Sequence, residues 1–249
     1  MTVTVDQDAS THLSINRNDG VTTLSLNRAE KRNALSAPLV EGLITAVHHA
    51  YEDETRLLVL RGSGRCFSAG FDFTDYDQHS EGDLALRFIR LEQLLQAVEH
   101  APMATLSLVH GKTFGAGADL AAACTHRVFD PEAEVRMPGL RFGLLLGSRR
   151  LAARTSETWA YDVLSKTRAV DASEAQQSGL ATHVAPQPEW DAIIDATTAQ
   201  ARRLDPATTT ALRSRLTPDT RAEDMHALVE SVTRPGLIER IRRFREGTQ

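Results

Sequence analysis

The spacing of apolar residues predicts a chain in which strands and helices alternate. Near the N-terminus, apolar and polar residues alternate on both sides of Asn18-Asp19-Gly20, a combination that predicts a β-hairpin. The apolar runs 57–61 and 104–109 have the length of buried strands. Strands that alternate with helices are typical of the α/β class. Between the two runs, apolar residues recur every three or four positions, and they predict one face of an amphipathic helix: Leu84, Phe88, Leu91, Leu95 and Val98.

Other segments extend this pattern. Ser36 and Pro38 predict the start of a helix after a polar loop, with Ser36 as its cap. Residues 126–129 and 134–137 are predicted to form short strands, and a helical pattern follows at 159–164.

The two ends of the chain are expected to be less regular than its middle. Residues 1–11 are polar and are predicted to be frayed. Beyond residue 186, prolines separate three predicted helical stretches. About 60 residues form only a marginal core. We therefore expect a core of residues 1–185 and a helical extension of residues 186–249, not two independent domains.

Composition and charge narrow the possible classes of protein. The chain has 249 residues, of which 41% are hydrophobic and 24% charged, as in ordinary globular proteins. The formal charge of -5 argues against a nucleic-acid partner. Cys66 and Cys124 lie among small or apolar residues, which indicates reduced, buried side chains. Residues 1–8 lack the features of a signal peptide, and no apolar run approaches membrane-spanning length. We expect a cytoplasmic protein without a membrane partner.

A glycine-rich turn, with Gly115 and Gly117, joins the predicted strand 104–109 to a predicted helix at 120–124. The first N–H groups of a helix lack partners within it, and the helix dipole adds partial positive charge. The turn therefore favours a negative or developing negative charge. Asp119 lies about one helical turn in, where its carboxylate can face the same pocket or merely cap the helix.

A second turn of small residues, with Gly62 and Gly70, follows the predicted strand 57–61. This turn, too, can leave backbone N–H groups unpaired. If both turns face one point, their N–H groups form an oxyanion hole for an enolate or a tetrahedral anion. Two tight turns without any ligand are the alternative interpretation.

Three stretches resemble the signature segments of the crotonase (enoyl-CoA hydratase/isomerase) superfamily, in the family's order and at its usual separations. They are residues 27–36 (NRAEKRNALS), 67–72 (FSAGFD) and 115–120 (GAGADL). Residues 169–181 resemble the helix-turn that closes the family's core. The resemblance covers residues 12–185. It implies an α/β crotonase-like spiral of ββα units, with C-terminal helices that pack within or across a trimer.

The resemblance implies a site for an acyl-CoA thioester. The backbone N–H groups of Phe71 and Ala116 match the family's two oxyanion donors, although the second is usually a glycine. Asp119 matches the first of two acidic positions, where a glutamate is more typical. The remaining positions that match substrate-binding or coenzyme A-binding residues are Arg28, Lys31, Ala34, Ala69, Gly70, Asp72, Gly115 and Gly139.

Gly139 is the main departure from the family's pattern, because the second carboxylate of the efficient hydratases would fall there. Those enzymes hold water between two carboxylates. A single Asp119 can still remove an α-proton and return it elsewhere, which is isomerase chemistry. We therefore expect weak hydration of crotonyl-CoA. Other polar groups that could compensate lie in the loop after the first donor: Asp72, Asp75, Tyr76, His79 and Glu81.

Three interpretations of the function stay open at this point. The first is an enoyl-CoA hydratase/isomerase-type enzyme with Asp119 as its sole acid and base. The second is a decarboxylase or hydrolase that cleaves C–C or C–X bonds, although the nucleophilic aspartate of dehalogenases would fall at Gly147. The third is an acyl-CoA binding protein without turnover. Dienoyl-CoA isomerases would need acids at Gly139 and Gly147, which this sequence lacks.

The sequence carries no P-loop, zinc-ligand spacing or dinucleotide fingerprint. We therefore expect neither a metal nor a redox cofactor, and coenzyme A enters only as part of the substrate. The resemblance also implies a homo-oligomer, either a trimer or a dimer of trimers.

Overall fold

The computed structural model describes residues 4–8 and 12–247, which form two β-sheets surrounded by helices. The strands are β1 (Thr4–Asp8), β2 (Leu13–Asn18), β3 (Val21–Leu26), β4 (Leu57–Gly62), β5 (Ala104–Val109), β6 (Lys112–Phe114), β7 (His126–Phe129), β8 (Glu134–Arg136), β9 (Val170–Asp171) and β10 (His183–Val184). The α-helices are α1 (Ala37–Glu52), α2 (Glu81–Glu99), α3 (Ala116–Ala123), α4 (Ser148–Arg154), α5 (Glu157–Lys166), α6 (Ala172–Ser178), α7 (Trp190–Ala201), α8 (Pro206–Leu216), α9 (Arg221–Val232) and α10 (Leu237–Glu246).

The chain winds as a spiral between the two sheets. The larger sheet has the order β1-β2-β3-β4-β5-β7-β10, and the smaller sheet has the order β6-β8-β9. In the larger sheet, β2 pairs antiparallel with both β1 and β3. The remaining pairs of neighbouring strands in this sheet are parallel: β3–β4, β4–β5, β5–β7 and β7–β10. The successive strands β5 and β6 lie in different sheets and are followed by α3; β7 and β8 repeat this arrangement before α4. Each ββα unit therefore gives one strand to each sheet, and the predicted α/β class is confirmed.

The hairpin and the two long helices were correctly predicted from the sequence. Asp19 and Gly20 both have positive φ, 46° and 70°, as the tight turn between β2 and β3 requires. The apolar residues that predicted α2 are at most 1% exposed. Ser36 occupies the N-cap position of α1, but its side chain forms no capping hydrogen bond there.

Two predictions in the first half of the chain are corrected. The chain does not run directly from β5 into α3, because β6 lies between them and pairs with β8 in the smaller sheet. Residues 4–8, predicted to be frayed, form the edge strand β1 and pair with β2 along its whole length. The same prediction for residues 1–3 and 9–11 lies outside the described residues.

The described part of the C-terminal region contains four α-helices, not the three that were predicted. The prolines of this region stand at or shortly before the starts of the helices. They mark where helices begin, and they do not separate the three helical stretches that the sequence predicted. Helices α9 and α10 pack onto the core through Leu228, Val232, Leu237 and Ile241, which are at most 2% exposed. The division at residue 185 stays a prediction.

Among the described residues, no helix has the length and apolarity needed to cross a membrane.

Candidate active site

Two backbone turns meet at one point of the structure. The first follows β4 and includes Gly70, and the second joins β6 to α3. A Cβ atom on Gly70 would overlap the carbonyl oxygen of Phe114 and would lie 3.2 Å from the backbone nitrogen of Ala116. Gly70 also has a φ of +80°, a conformation that other residues rarely adopt. Glycine at this position therefore allows the two turns to touch.

The N–H groups of Phe71 and Ala116 have no hydrogen-bond acceptor within residues 4–8 and 12–247. Phe71 forms an isolated bridge to Leu35, whose N–H donates to the Gly70 carbonyl oxygen (2.7 Å), so the N–H of Phe71 points to the opposite side. Ala116 is the first residue of α3 and thus has no partner within the helix. Both residues line one cavity.

The first turn is held in place by the segment 27–36. Asn33 is fully buried, and its side-chain amide donates to two carbonyl oxygens of the turn, at 2.8 and 2.9 Å. Ser68 Oγ donates to the Asn33 carbonyl oxygen (2.8 Å) and accepts from the Gly70 N–H (3.1 Å). These hydrogen bonds fix the inner side of the turn, and none of them involves the N–H of Phe71, which stays unpaired.

The cavity in front of the two turns has a volume of about 400 Å³. Its wall is mostly apolar and includes six phenylalanines, four leucines and a methionine. The polar side chains on the wall are Asp119, Ser148 and three exposed arginines: Arg32, Arg136 and Arg141. Such a cavity suits an apolar group beside a small number of polar atoms.

Asp119 is buried in the wall of this cavity. Its carboxyl group accepts no hydrogen bond and forms no ion pair among residues 12–247, and α3 has no side-chain cap, so Asp119 does not cap the helix. Burial raises the pKa of Asp119 to about 7, while the positive charge of Arg150 opposes this shift and the negative charge of Glu92 adds to it. A carboxyl group with this pKa can both accept and donate a proton near neutral pH.

The carboxyl group of Asp119 lies directly against the backbone of Gly147. A Cβ atom on Gly147 would overlap Oδ1 and Cγ of Asp119 and would lie 2.9 Å from its Cβ. Gly147 is the residue before α4. Glycine is therefore required at this position if Asp119 is to keep its orientation in the cavity.

Arg150, one turn into α4, belongs to a buried network of charges behind Asp119. Its guanidinium group donates to Glu92 (2.7 and 2.8 Å) and Glu99 (2.6 Å), and lies 3.4 Å from a carboxylate oxygen of Asp224. Arg150 and Glu92 are fully buried. The network joins α2, α4 and α9, so the charges that influence Asp119 are held by rigid elements and are shielded from solvent.

A wider groove of about 950 Å³ adjoins the cavity and shares five lining residues with it. Ala69 lines both spaces, whereas Gly70 lines neither and lies against the backbone of Phe114 and Ala116. Of the other positions that were expected to bind substrate or coenzyme A, the groove is lined by Lys31, Ala34 and Asp72, and the cavity by Gly115 and Gly139.

Arg28 lines neither space, although it was expected to contact coenzyme A. Its guanidinium group pairs with the carboxylate of Asp72 and donates to the carbonyl oxygen of Ala34 (3.4 Å). Burial tends to raise the pKa of Asp72, but hydrogen bonds from Arg28 and Thr74 outweigh it and hold the pKa below its ordinary value. The pair braces the loop, and Asp72 stays an anion at neutral pH.

Asp119 is the one carboxylic acid among the lining residues of the cavity in the described part of the chain. At Gly139 a Cβ atom would lie 3.4 Å from the nearest atom, the carbonyl oxygen of Leu144, so a Cβ atom fits there. The loop residues considered as compensating acids lie elsewhere: Asp72, Asp75 and Tyr76 line the groove, and His79 and Glu81 line neither space. Within the described residues, no group of three His, Cys, Asp or Glu side chains could hold a metal ion.

Sequence reasoning missed three residues near Asp119 or in the cavity wall. Gly147 was considered only as a position that lacks an acid, and Arg150 gave no signal, because their roles depend on contacts between helices that are distant in sequence. Phe244 of α10 lines both spaces, and its spacing from Leu237 and Ile241 was a recognisable helical pattern.

The chain is similar in sequence to proteins of one family. The model of the enoyl-CoA hydratase/isomerase family matches residues 16–232. A probable enoyl-CoA hydratase of Mycobacterium leprae is 34% identical over 179 residues, which are 69% of this chain and 70% of the relative. The mitochondrial enoyl-CoA hydratase domain-containing protein 2 of Bos taurus is 31% identical over 202 residues, 79% of this chain and 68% of the relative.

Solved structures share the fold. A crystal structure from Bordetella parapertussis, provisionally named an enoyl-CoA hydratase/isomerase, has a TM-score of 0.93 and 49% identity and covers 94% of this chain and 98% of its own. A Thermobifida fusca protein in complex with acetoacetyl-CoA has a TM-score of 0.76 and 24% identity. The match covers 89% of this chain and 94% of that protein, and it shows a common fold. The crotonase-like spiral predicted from the sequence is confirmed, and the chain belongs to the enoyl-CoA hydratase/isomerase (crotonase) family.

Proposed function

We propose that the protein is an acyl-CoA thioester enzyme that forms an enolate in the 400 Å³ cavity, with Asp119 as the one group that removes and returns a proton. The observation that carries this proposal is the position of Asp119. Its carboxyl group, with a pKa near 7, lines the same cavity as the unpaired N–H groups of Phe71 and Ala116. A base and an anion-stabilising pair of donors in one apolar cavity are what α-proton abstraction requires.

In the proposed reaction the thioester carbonyl oxygen accepts hydrogen bonds from the N–H groups of Phe71 and Ala116. The substrate is a thioester with a double bond between its β- and γ-carbons. The carboxylate of Asp119 takes a proton from the α-carbon, and the electron pair of that C–H bond spreads over the carbonyl group and the β,γ double bond as a dienolate. Protonated Asp119 then returns the proton at the γ-carbon while the carbonyl bond re-forms. Substrate and product have the same atoms, so the reaction is an isomerisation that moves a double bond.

Isomerisation fits the cavity better than efficient hydration does. Hydration needs one group to activate water and another to deliver a proton. Asp119 has no second carboxylic acid beside it among the described lining residues, and Asp72 is held as an anion by Arg28. The geometry therefore favours reactions in which one group handles a single proton.

We assign the nucleotide part of coenzyme A to the groove that opens into the cavity beside Ala69. Three exposed basic side chains that can attract phosphate groups line this groove: Lys31, Arg32 and Arg245. Carboxylate residues line it as well, so we assign the phosphates to the positions next to these three side chains: the acids are Glu30, Asp72, Asp75, Asp77 and Glu246. The bound acetoacetyl-CoA of the Thermobifida fusca neighbour supports a thioester ligand at the level of the shared fold.

The homo-oligomer, a trimer or a dimer of trimers, and the cytoplasmic location stay predictions. Helix α8 has no buried residue, and it exposes Leu212 and Leu216. Its exposed apolar side chains support the proposal of subunit contacts, because contact with a neighbouring copy would remove them from water.

Asp119→Asn tests the proposed function most directly. Asparagine keeps the shape of the side chain but cannot take a proton, so conversion of 3-hexenoyl-CoA to its conjugated isomer is expected to fall at least about 100-fold. Binding of the same thioester, measured by calorimetry, is expected to change little, because the oxyanion donors are backbone groups. The matched control is His79→Gln, which alters a polar residue that lines neither the cavity nor the groove. A variant Asp119→Asn with the parent's rate would contradict the role of Asp119.

The raised pKa of Asp119 predicts how stability depends on pH. The folded protein binds this proton more tightly than the unfolded chain, since the pKa rises from 3.8 to about 7. The resulting stabilisation is present below about pH 4 and is lost as pH rises through 7. The free energy of unfolding of Asp119→Asn, compared with that of the parent, should therefore increase as the pH rises from 4 to 8, by roughly 4 kcal/mol at most. Urea unfolding at several pH values measures this difference, and a difference independent of pH would show that the carboxyl group is not perturbed.

Gly139→Glu tests why hydration is expected to be weak. The substitution adds a carboxylic acid on the cavity wall at a position where a Cβ atom fits. Hydration of crotonyl-CoA is expected to rise at least about tenfold over a weak parent activity, since a positioned acid or base typically contributes 10²–10⁴-fold. Gly139→Gln, which has the same size but no ionisable group, is expected to stay at the parent's rate. Rapid hydration by the parent itself would mean that a second acid acts from elsewhere.

A further inference from the structure

Phenylalanine is concentrated around the cavity. The sequence contains eight phenylalanines, and six of them line this one space: Phe71, Phe73, Phe88, Phe114, Phe142 and Phe244. The other two, Phe67 and Phe129, are buried elsewhere in the core. Aromatic residues make up only 5% of the chain, so a general need for aromatic packing does not explain this distribution.

Five of the six rings, all except that of Phe114, form one connected wall. Phe71 and Phe88 are stacked with centroids 4.2 Å apart, and Phe73 meets Phe71 edge to face at 5.0 Å. Phe142 lies 6.0 Å from Phe73 and 5.1 Å from Phe244. These residues come from the loop after β4, from α2, from the short 3-10 helix at 139–142 and from α10. Four separate segments thus bring aromatic rings to one place.

The aromatic wall begins beside the expected position of the thioester carbonyl. Phe71 supplies both a backbone N–H donor and a ring of the wall, and Phe114 lies two residues before the second donor, Ala116. A group that meets these rings therefore lies only a few bonds from the carbonyl carbon. The polar side chains on the wall are the buried Asp119, Ser148 and three exposed arginines, so a polar acyl tail would find few partners.

We propose that this cavity selects an aryl group carried on a short acyl chain, so that the substrates are aryl-substituted short-chain acyl thioesters. The inference rests on the proposed function in one respect, namely that the ligand is a coenzyme A thioester. Aromatic rings prefer edge-to-face or offset contacts with other rings, and these contacts add affinity beyond that of buried area. Phe88 is fully buried, and the Phe71 ring is covered by Phe88 and by the guanidinium group of Arg87. The partly exposed rings of Phe73, Phe114 and Phe244 can offer these contacts to a ligand ring, whereas an aliphatic tail gains only from burial.

The test compares two saturated thioesters that differ only in the terminal ring, 3-phenylpropanoyl-CoA and 3-cyclohexylpropanoyl-CoA, with butanoyl-CoA as the reference. Calorimetry gives the dissociation constant of each without any turnover. The cyclohexyl group is the more hydrophobic, so apolar burial alone favours it. Ring–ring contacts predict the opposite order, with the phenyl thioester bound about 2- to 10-fold more tightly than the cyclohexyl one and both more tightly than butanoyl-CoA.

Two variants show where a preference for the phenyl ring comes from. Phe142→Leu removes a ring from the cavity wall, and the phenyl-to-cyclohexyl ratio is expected to fall towards one. Phe129→Leu removes an equally buried ring that does not line the cavity, and the parent's ratio is expected to persist. Because each ratio is measured within one variant, a partial loss of folded protein cancels.

Equal binding of the two ring thioesters by the parent, or tighter binding of the cyclohexyl one, overturns this inference alone. An equal fall of the ratio in both variants also overturns it. If none of the three thioesters binds, the proposed function fails and the inference fails with it. If all three bind with the expected preference but Asp119→Asn keeps the parent's rate, the proposed role of Asp119 fails while the aryl preference stands.

Discussion

The site depends on the close contact between the turn after β4 and the start of α3. The contact is possible because Gly70 has no side chain: a Cβ atom there would overlap the Phe114 carbonyl oxygen. The inner hydrogen bonds of the turn, through Asn33 and Ser68, hold it in place and leave the N–H of Phe71 on the cavity side. Unpaired donors in an apolar cavity are costly without a ligand, so this geometry favours an oxygen atom that carries negative charge.

The same cavity holds a carboxyl group whose charge is disfavoured by burial. Asp119 lies against Gly147 and has no hydrogen-bond partner among residues 12–247. Burial raises its pKa to about 7. Arg150 limits the shift, but its own charge is largely balanced by Glu92 and Glu99. In the proposed reaction the carboxyl group removes the proton, and this creates negative charge at the carbonyl oxygen. The two N–H groups, which have no other hydrogen-bond partner among the described residues, stabilise that charge.

Much of the fold could be predicted from the sequence, because the hairpin, α1, α2 and the parallel strands follow local periodicity and turn chemistry. The short strand β6 was missed because its three residues gain their place from pairing with β8, which lies about 20 residues further along the chain. The motif located the two turns and Asp119 in the sequence, but the contact of Gly147 with Asp119 is visible only where α4 meets α3. The Arg28–Asp72 pair shows the same limit, because the motif does not reveal that this basic loop residue pairs with a carboxylate of the turn.

The central claim is that Asp119 and the two N–H groups act together on the α-carbon of a bound thioester. Exchange of the α-protons of butanoyl-CoA in D₂O tests it without any requirement for a particular product or acyl group. Mass spectrometry is expected to show deuterium entering the α-position faster with the parent than in buffer, because Asp119 forms the enolate and solvent exchanges the proton that it holds. Bound butanoyl-CoA that gains deuterium no faster than in buffer would contradict the account.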